Sequence, residues 1–209
     1  MIVAFIVFGI LAQAVAWHLV RSGRLRIWTA AGWVFIVLGV GCVLSGQVEL
    51  WGSVRPWGAV GAGLASALVL FGLTQLFLGV ALRSPRFMRD SGRLYGERGK
   101  YPLAVAILVA SLVAAGEELF WRGIVRDALF EQTGTWGSEG IALLGYIACS
   151  AVAGSAPMVV AAIVGGTVWS LLAIWSGGVA ASIVCHASWT GLMIVFPPNG
   201  VLAEGNRGR

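Results

Sequence analysis

Apolar runs of about 20 residues recur along nearly the whole chain, and no other feature limits its fold so severely. A run of that length crosses the hydrocarbon core of a bilayer as one helix, where every backbone polar group must be satisfied within the segment. The runs fall at roughly 1–20, 27–46, 57–82, 101–126, 140–155, 158–176 and 179–197. They predict an all-α, polytopic membrane helix bundle of about seven transmembrane helices. The fifth and sixth runs are divided by Gly154, Ser155 and Pro157. Of the 209 residues, 58% are hydrophobic and only 11% charged, with a mean hydropathy of +0.88. Soluble domains carry about 25% charged residues, so a soluble enzyme, a nucleic-acid-binding domain and a disordered regulator are all excluded. With no internal repeat and no long polar stretch, residues 1–209 read as a single integral membrane domain.

Basic residues predict the orientation. Arg21, Arg24 and Arg26 lie in the first loop; Arg83, Arg86, Arg89, Arg93, Arg98 and Lys100 lie in the third; Arg207 and Arg209 lie in the tail. Seven spans put all of these on one side, and the positive-inside rule makes that side cytoplasmic, with the N-terminus outside. Ala14-Val15-Ala16 resembles a signal-peptide cleavage site. Because Met1 runs straight into Ile2-Val3-Ala4-Phe5 without a basic segment, the first helix is expected to stay. Cys42, Cys149 and Cys185 sit in apolar runs and read as free thiols packed as small core residues. Gln13, Gln47 and Gln75 are candidates for interhelical hydrogen bonds, and His18, beside Trp17 and Arg21, reads as interfacial.

The fourth run ends in Gly116-Glu117-Glu118-Leu119-Phe120-Trp121-Arg122-Gly123, after an uncharged stretch from Pro102 to Val113. A charge at mid-membrane costs roughly 2.5–3.5 kcal/mol on insertion scales, and ionisable groups there mark functional sites. Glu118 and Arg122, four residues apart, share a helix face and can pair. Glu117 is turned about 100° from Glu118 and is free to point into a cavity. A carboxylate in a poorly hydrated site is tuned for general-base work near neutral pH. In the last run, His186 and Thr190 are likewise four apart on one face. At 1.5 Å per residue, Glu117 lies about 24 Å from the basic end of its span. That depth lets it meet His186 in the outer half of the membrane.

Glu117-Glu118-x-x-x-Arg122-Gly123, and the last span from Trp175-Ser176-Gly177-Gly178 to His186-x-x-x-Thr190, resemble the first and final motifs of the CAAX protease and bacteriocin-processing family. This is a family of intramembrane peptidases related to type II CAAX prenyl endopeptidases. The resemblance covers 101–197, the family-like catalytic core. It implies an intramembrane endopeptidase, a hydrolase acting on a membrane-associated protein or peptide in C-terminal processing or sorting. In that picture Glu117 activates a water, Glu118 and Arg122 fix its carboxylate, and His186 with Thr190 stabilises the oxyanion.

Two features mark the resemblance as that of a diverged member. The stretch from Tyr146 to Pro157 lacks the family's middle-motif histidine, where Ser150 or Ser155 is a substitute donor, and Thr190 replaces an amide or carboxylate. An alternative reading is therefore a catalytically impaired member acting as a membrane peptide-binding, immunity or scaffolding protein. A serine protease built on Ser150 or Ser155 with His186 leaves Glu117, Glu118 and Arg122 without a role. No metal and no other cofactor is expected, since catalytic zinc needs about three protein ligands and the core offers one well-placed histidine. The expected location is a bacterial inner membrane, with the lipid bilayer and a membrane-bound substrate as partners and no nucleic acid. Placing the carboxylates in the outer half favours exported proteins or their membrane tails as substrates.

Overall fold

A computed structural model of the chain describes residues 2–96 and 98–207, so the tail arginine Arg209 lies outside the described residues. All regular secondary structure among the described residues is helical, with no strand. In chain order they form α1 (Ile2–Arg21), α2 (Ile27–Ser45), α3 (Pro56–Ala81), α4 (Pro85–Tyr95), α5 (Leu103–Glu118), α6 (Arg126–Val152), α7 (Ala156–Ser176), α8 (Ala180–Val195) and α9 (Val201–Arg207). A π-helical segment, Leu119–Val125, joins α5 to α6. Five helical stretches are long and apolar enough to cross a membrane, and Ala180–Val195 is a shorter apolar helix. The chain is a polytopic helical membrane protein.

Local chemistry explains most boundaries. Proline opens α3 and sits in the first turn of α7, where its missing N–H is no loss. Gly46 and Gly177 end α2 and α7 in the left-handed conformation. The expected break between the fifth and sixth runs occurs where α6 ends at Val152 and α7 starts at Ala156.

One expectation is corrected. Residues 127–139, read as a loop between two spans, are helical on both sides of Gly134, so the fourth and fifth runs remain two limbs joined by a helical reversal and not by a loop. The stretch turns back at Gly134, whose φ of 66° and ψ of −178° are open to glycine alone without strain. The returning limb of α6 packs on the π segment, α7 and α1; its Tyr146 side chain reaches Glu117 at the end of α5, and the Trp121 and Tyr146 rings meet with centroids 6.1 Å apart.

The other helices fasten this hairpin in place. α3 and α5 both pack on α8, α2 packs on α5, and α7 packs on α6 and α8. α2 and α5 approach closely: a Cβ added to Gly116 would fall on the Phe35 carbonyl oxygen. Without side-chain bulk at that point the two backbones meet, as is usual where helices associate in lipid. That contact positions the residue immediately before Glu117. Gln13 of α1 accepts a hydrogen bond from Trp121 Nε1 at 3.0 Å, and Gln75 of α3 donates to the Phe196 carbonyl at 2.9 Å, whereas Gln47 lies in the α2–α3 loop. Cys42, Cys149 and Cys185 are buried free thiols.

Candidate active site

Glu117 and Glu118 end α5, and the turn of the helix sends them in different directions. Glu118 is fully buried and points into protein. Its Oε1 accepts from Arg122 Nη1 at 3.3 Å and lies 3.0 Å from His186 Nδ1. Glu117 points into a cavity of about 530 Å³ whose wall includes His186 and Thr190; Glu118 and Arg122 are absent from that wall. Two adjacent carboxylates are thus separated into one held inside protein and one facing open space.

Arg122 is fully buried and is satisfied from several elements. Beyond Glu118, its Nη2 donates to the Gly166 carbonyl at 3.0 Å and its Nε donates to Ser170 Oγ at 3.4 Å. Nε also lies 3.7 Å from a carboxylate oxygen of Glu139, on the returning limb of α6. The guanidinium sits 4.7 Å from the Tyr146 ring centroid and 5.8 Å from that of Trp169. A cation taken out of water needs this many partners, and together they tie α6 and α7 to the π segment. A π-helical turn widens the helix locally and is frequent at functional sites; here it carries Arg122.

His186 is held on two sides. Its Nδ1 faces Glu118, and its ring stacks on Trp169 with centroids 3.5 Å apart and planes inclined by 13°. The imidazole therefore has a fixed plane and one committed nitrogen. Thr190, one turn further along α8, lines the same cavity.

The fourth polar group at the cavity wall is Tyr146, whose hydroxyl donates to Glu117 Oε2 at 2.8 Å. Ser150, one turn along α6, also lines the cavity. Ser155 does not; it stands at the start of α7, near the residues 85–95 side of the bundle, where Asp90 accepts from the Ala156 N–H at 3.4 Å. Among the described residues, no three His, Cys, Asp or Glu side chains converge as a metal site requires. The rest of the cavity is largely apolar, and it extends from Glu117 to Phe87, Leu94 and Tyr95 of α4 and to Arg98.

Of the five residues that the sequence points to, the structure brings Glu117, His186 and Thr190 to one cavity wall and sets Glu118 and Arg122 behind it, with Glu118 bonded to both Arg122 and His186. Tyr146, Glu139, Gly166, Trp169 and Ser170 join them only in the structure. Of these, Glu139, a carboxylate in an apolar chain, carries a signal in the sequence, but only the helical return of α6 brings it to Arg122.

Residues 99–192 match a family model described as type II CAAX prenyl endopeptidase Rce1-like, and the matched segment contains all five of those residues. No curated protein and no solved structure gives a significant match.

Proposed function

We propose that this membrane protein, matched over 99–192 by the type II CAAX prenyl endopeptidase Rce1-like family, is an intramembrane endopeptidase that uses a water activated by Glu117. Its substrate is a membrane-associated protein or peptide cleaved near its C-terminus. The observation that carries the reading is that Glu117 and His186 face one cavity, while Glu118 is withdrawn from it to hold both Arg122 and His186.

In this reading Glu117 removes a proton from a water that attacks the scissile carbonyl. The carbonyl oxygen takes up negative charge and is met by His186. With Nδ1 committed to Glu118, Nε2 is the nitrogen left for the substrate. Thr190 adds a hydroxyl beside it. A preorganised donor at the developing oxyanion contributes about 10²–10³ in rate. Glu118 and Arg122 act mainly by fixing the imidazole, since their shared oxygen is bonded to His186 and Glu117 faces elsewhere. The proton on Glu117 then passes to the leaving nitrogen.

The path of the cavity bears on the substrate. It runs from Glu117 toward α4 and Arg98, the end of the bundle that carries the basic loops. The positive-inside rule makes that end cytoplasmic, with the N-terminus outside and the C-terminus inside. A substrate reaching Glu117 by this route comes from the cytoplasmic side. This reading replaces the preference for exported substrates that depth alone suggested.

One observation favours a second reading, a member that binds a membrane peptide without cutting it: among the described residues, His186 is the only imidazole on the cavity wall. Purified protein in liposomes, given a peptide ending in a prenylated cysteine and three further residues, separates the two. The endopeptidase reading predicts release of the C-terminal tripeptide, detected by mass spectrometry. Saturable binding of the intact peptide without release supports the second reading.

A further inference from the structure

The cavity holds a hydrogen bond that the roles above do not use, between Tyr146 and Glu117. Tyr146 is fixed on three sides. The Trp121 and Trp169 rings meet it edge-on at 6.1 and 6.3 Å, and the Arg122 guanidinium lies 4.7 Å from its centroid. Its hydroxyl donates to Glu117 Oε2 at 2.8 Å, and both residues line the cavity. A buried tyrosine hydroxyl ordinarily needs only some partner. This one has as its acceptor the same carboxylate that is to take a proton from water, and it shares the cavity wall with Glu117 and His186.

We propose that Tyr146 is a further catalytic residue, a hydroxyl donor that leaves Glu117 for the substrate oxyanion as Glu117 becomes protonated. The inference rests on the endopeptidase reading. As the water oxygen bonds to the carbonyl carbon, one water proton moves to Glu117 and the carbonyl π pair moves onto its oxygen. A protonated Glu117 is a poorer acceptor than a carboxylate, while the new oxyanion is a better one. The phenol keeps its proton throughout and changes acceptor by rotation about its C–O bond. When the carbon–nitrogen bond breaks, the nitrogen takes the proton from Glu117, the carbonyl reforms, and the hydroxyl returns to the carboxylate. Tyr146 and His186 then supply two donors, from α6 and α8. Ser150 also lines the cavity but has no hydrogen bond to Glu117, so it lacks this coupling.

The test uses the liposome assay with the prenylated peptide. Tyr146→Phe keeps the ring and its contacts and removes only the hydroxyl. Its kcat is expected to fall about 10²–10³-fold, as for loss of one oxyanion donor, with KM little changed. Replacing Tyr146 with 3-fluorotyrosine keeps the hydrogen bond and strengthens the donor. It raises kcat, because the gain is larger toward the more basic oxyanion; a purely structural hydroxyl gives no such rise. A Tyr146→Phe enzyme at wild-type rate, with Glu117→Gln inactive, overturns the role given to Tyr146 and leaves the endopeptidase reading standing. Wild-type cleavage by Glu117→Gln overturns that reading itself.

Discussion

His186 Nδ1 lies 3.0 Å from Glu118 Oε1, the same oxygen that Arg122 reaches at 3.3 Å. One atom thus joins α8 to the end of α5 and the π segment, and an imidazole 68 residues away in sequence is fixed by a carboxylate that never enters the cavity.

Glu118 is accordingly expected to be needed for both stability and rate. Glu118→Ala leaves a fully buried guanidinium short of its nearest carboxylate and should lower unfolding stability in detergent by about 3 kcal/mol. Glu118→Gln keeps the shape, costs less stability, and still lowers kcat because His186 loses a charged partner. Equilibrium unfolding and cleavage rates on the same preparations check both.

Trp169 holds the other face of the imidazole. Trp169→Ala removes the 3.5 Å stack and a large buried ring, with an expected loss of about 3–5 kcal/mol. Trp169→Phe retains an apolar ring and should recover most of that stability while leaving kcat reduced. The comparison of unfolding midpoint with kcat separates packing from orientation of His186.

Gly116 has no space for a side chain, since an added Cβ meets the Phe35 carbonyl. Gly116→Val should force α2 and α5 apart and cost roughly 1–3 kcal/mol or more. By contrast, Gly61→Val, where nothing lies within 4 Å, should be tolerated. Thermal unfolding of the two variants in one detergent distinguishes them.

The proposed orientation yields a labelling pattern. In a background without Cys42, Cys149 and Cys185, Trp136→Cys near the Gly134 turn reacts with impermeant thiol reagents added outside cells. Arg93→Cys on α4, at the basic end, reacts only after the membrane is opened. Both side chains are exposed in the bundle, so no protein packing blocks either thiol, and labelling of Arg93→Cys from outside intact cells contradicts the orientation.

What the sequence made legible follows its local periodicities. The helical class came from run length, and the pairing of Glu118 with Arg122 followed from a four-residue spacing that any helix converts into contact. The different facing of Glu117 and Glu118 followed from the turn of the helix. Less legible was whatever depends on how helices meet. Tyr146 is one of many aromatic residues in the chain, and nothing local reveals that the Gly134 reversal returns it to Glu117. Residues 127–139 carry enough polar side chains to look like a loop, yet they are helical on both sides of a break at Gly134. The stacking of Trp169 on His186 likewise depends on the packing of α7 on α8.

The proposed cleavage requires, above all, Glu117 as its base. Cleavage of the prenylated peptide by purified Glu117→Gln, beside wild type and with folding verified by an unchanged unfolding midpoint, tests this most directly. Tripeptide release by wild type, with none from a fully folded Glu117→Gln, is the predicted result. Release by Glu117→Gln at the wild-type rate contradicts it.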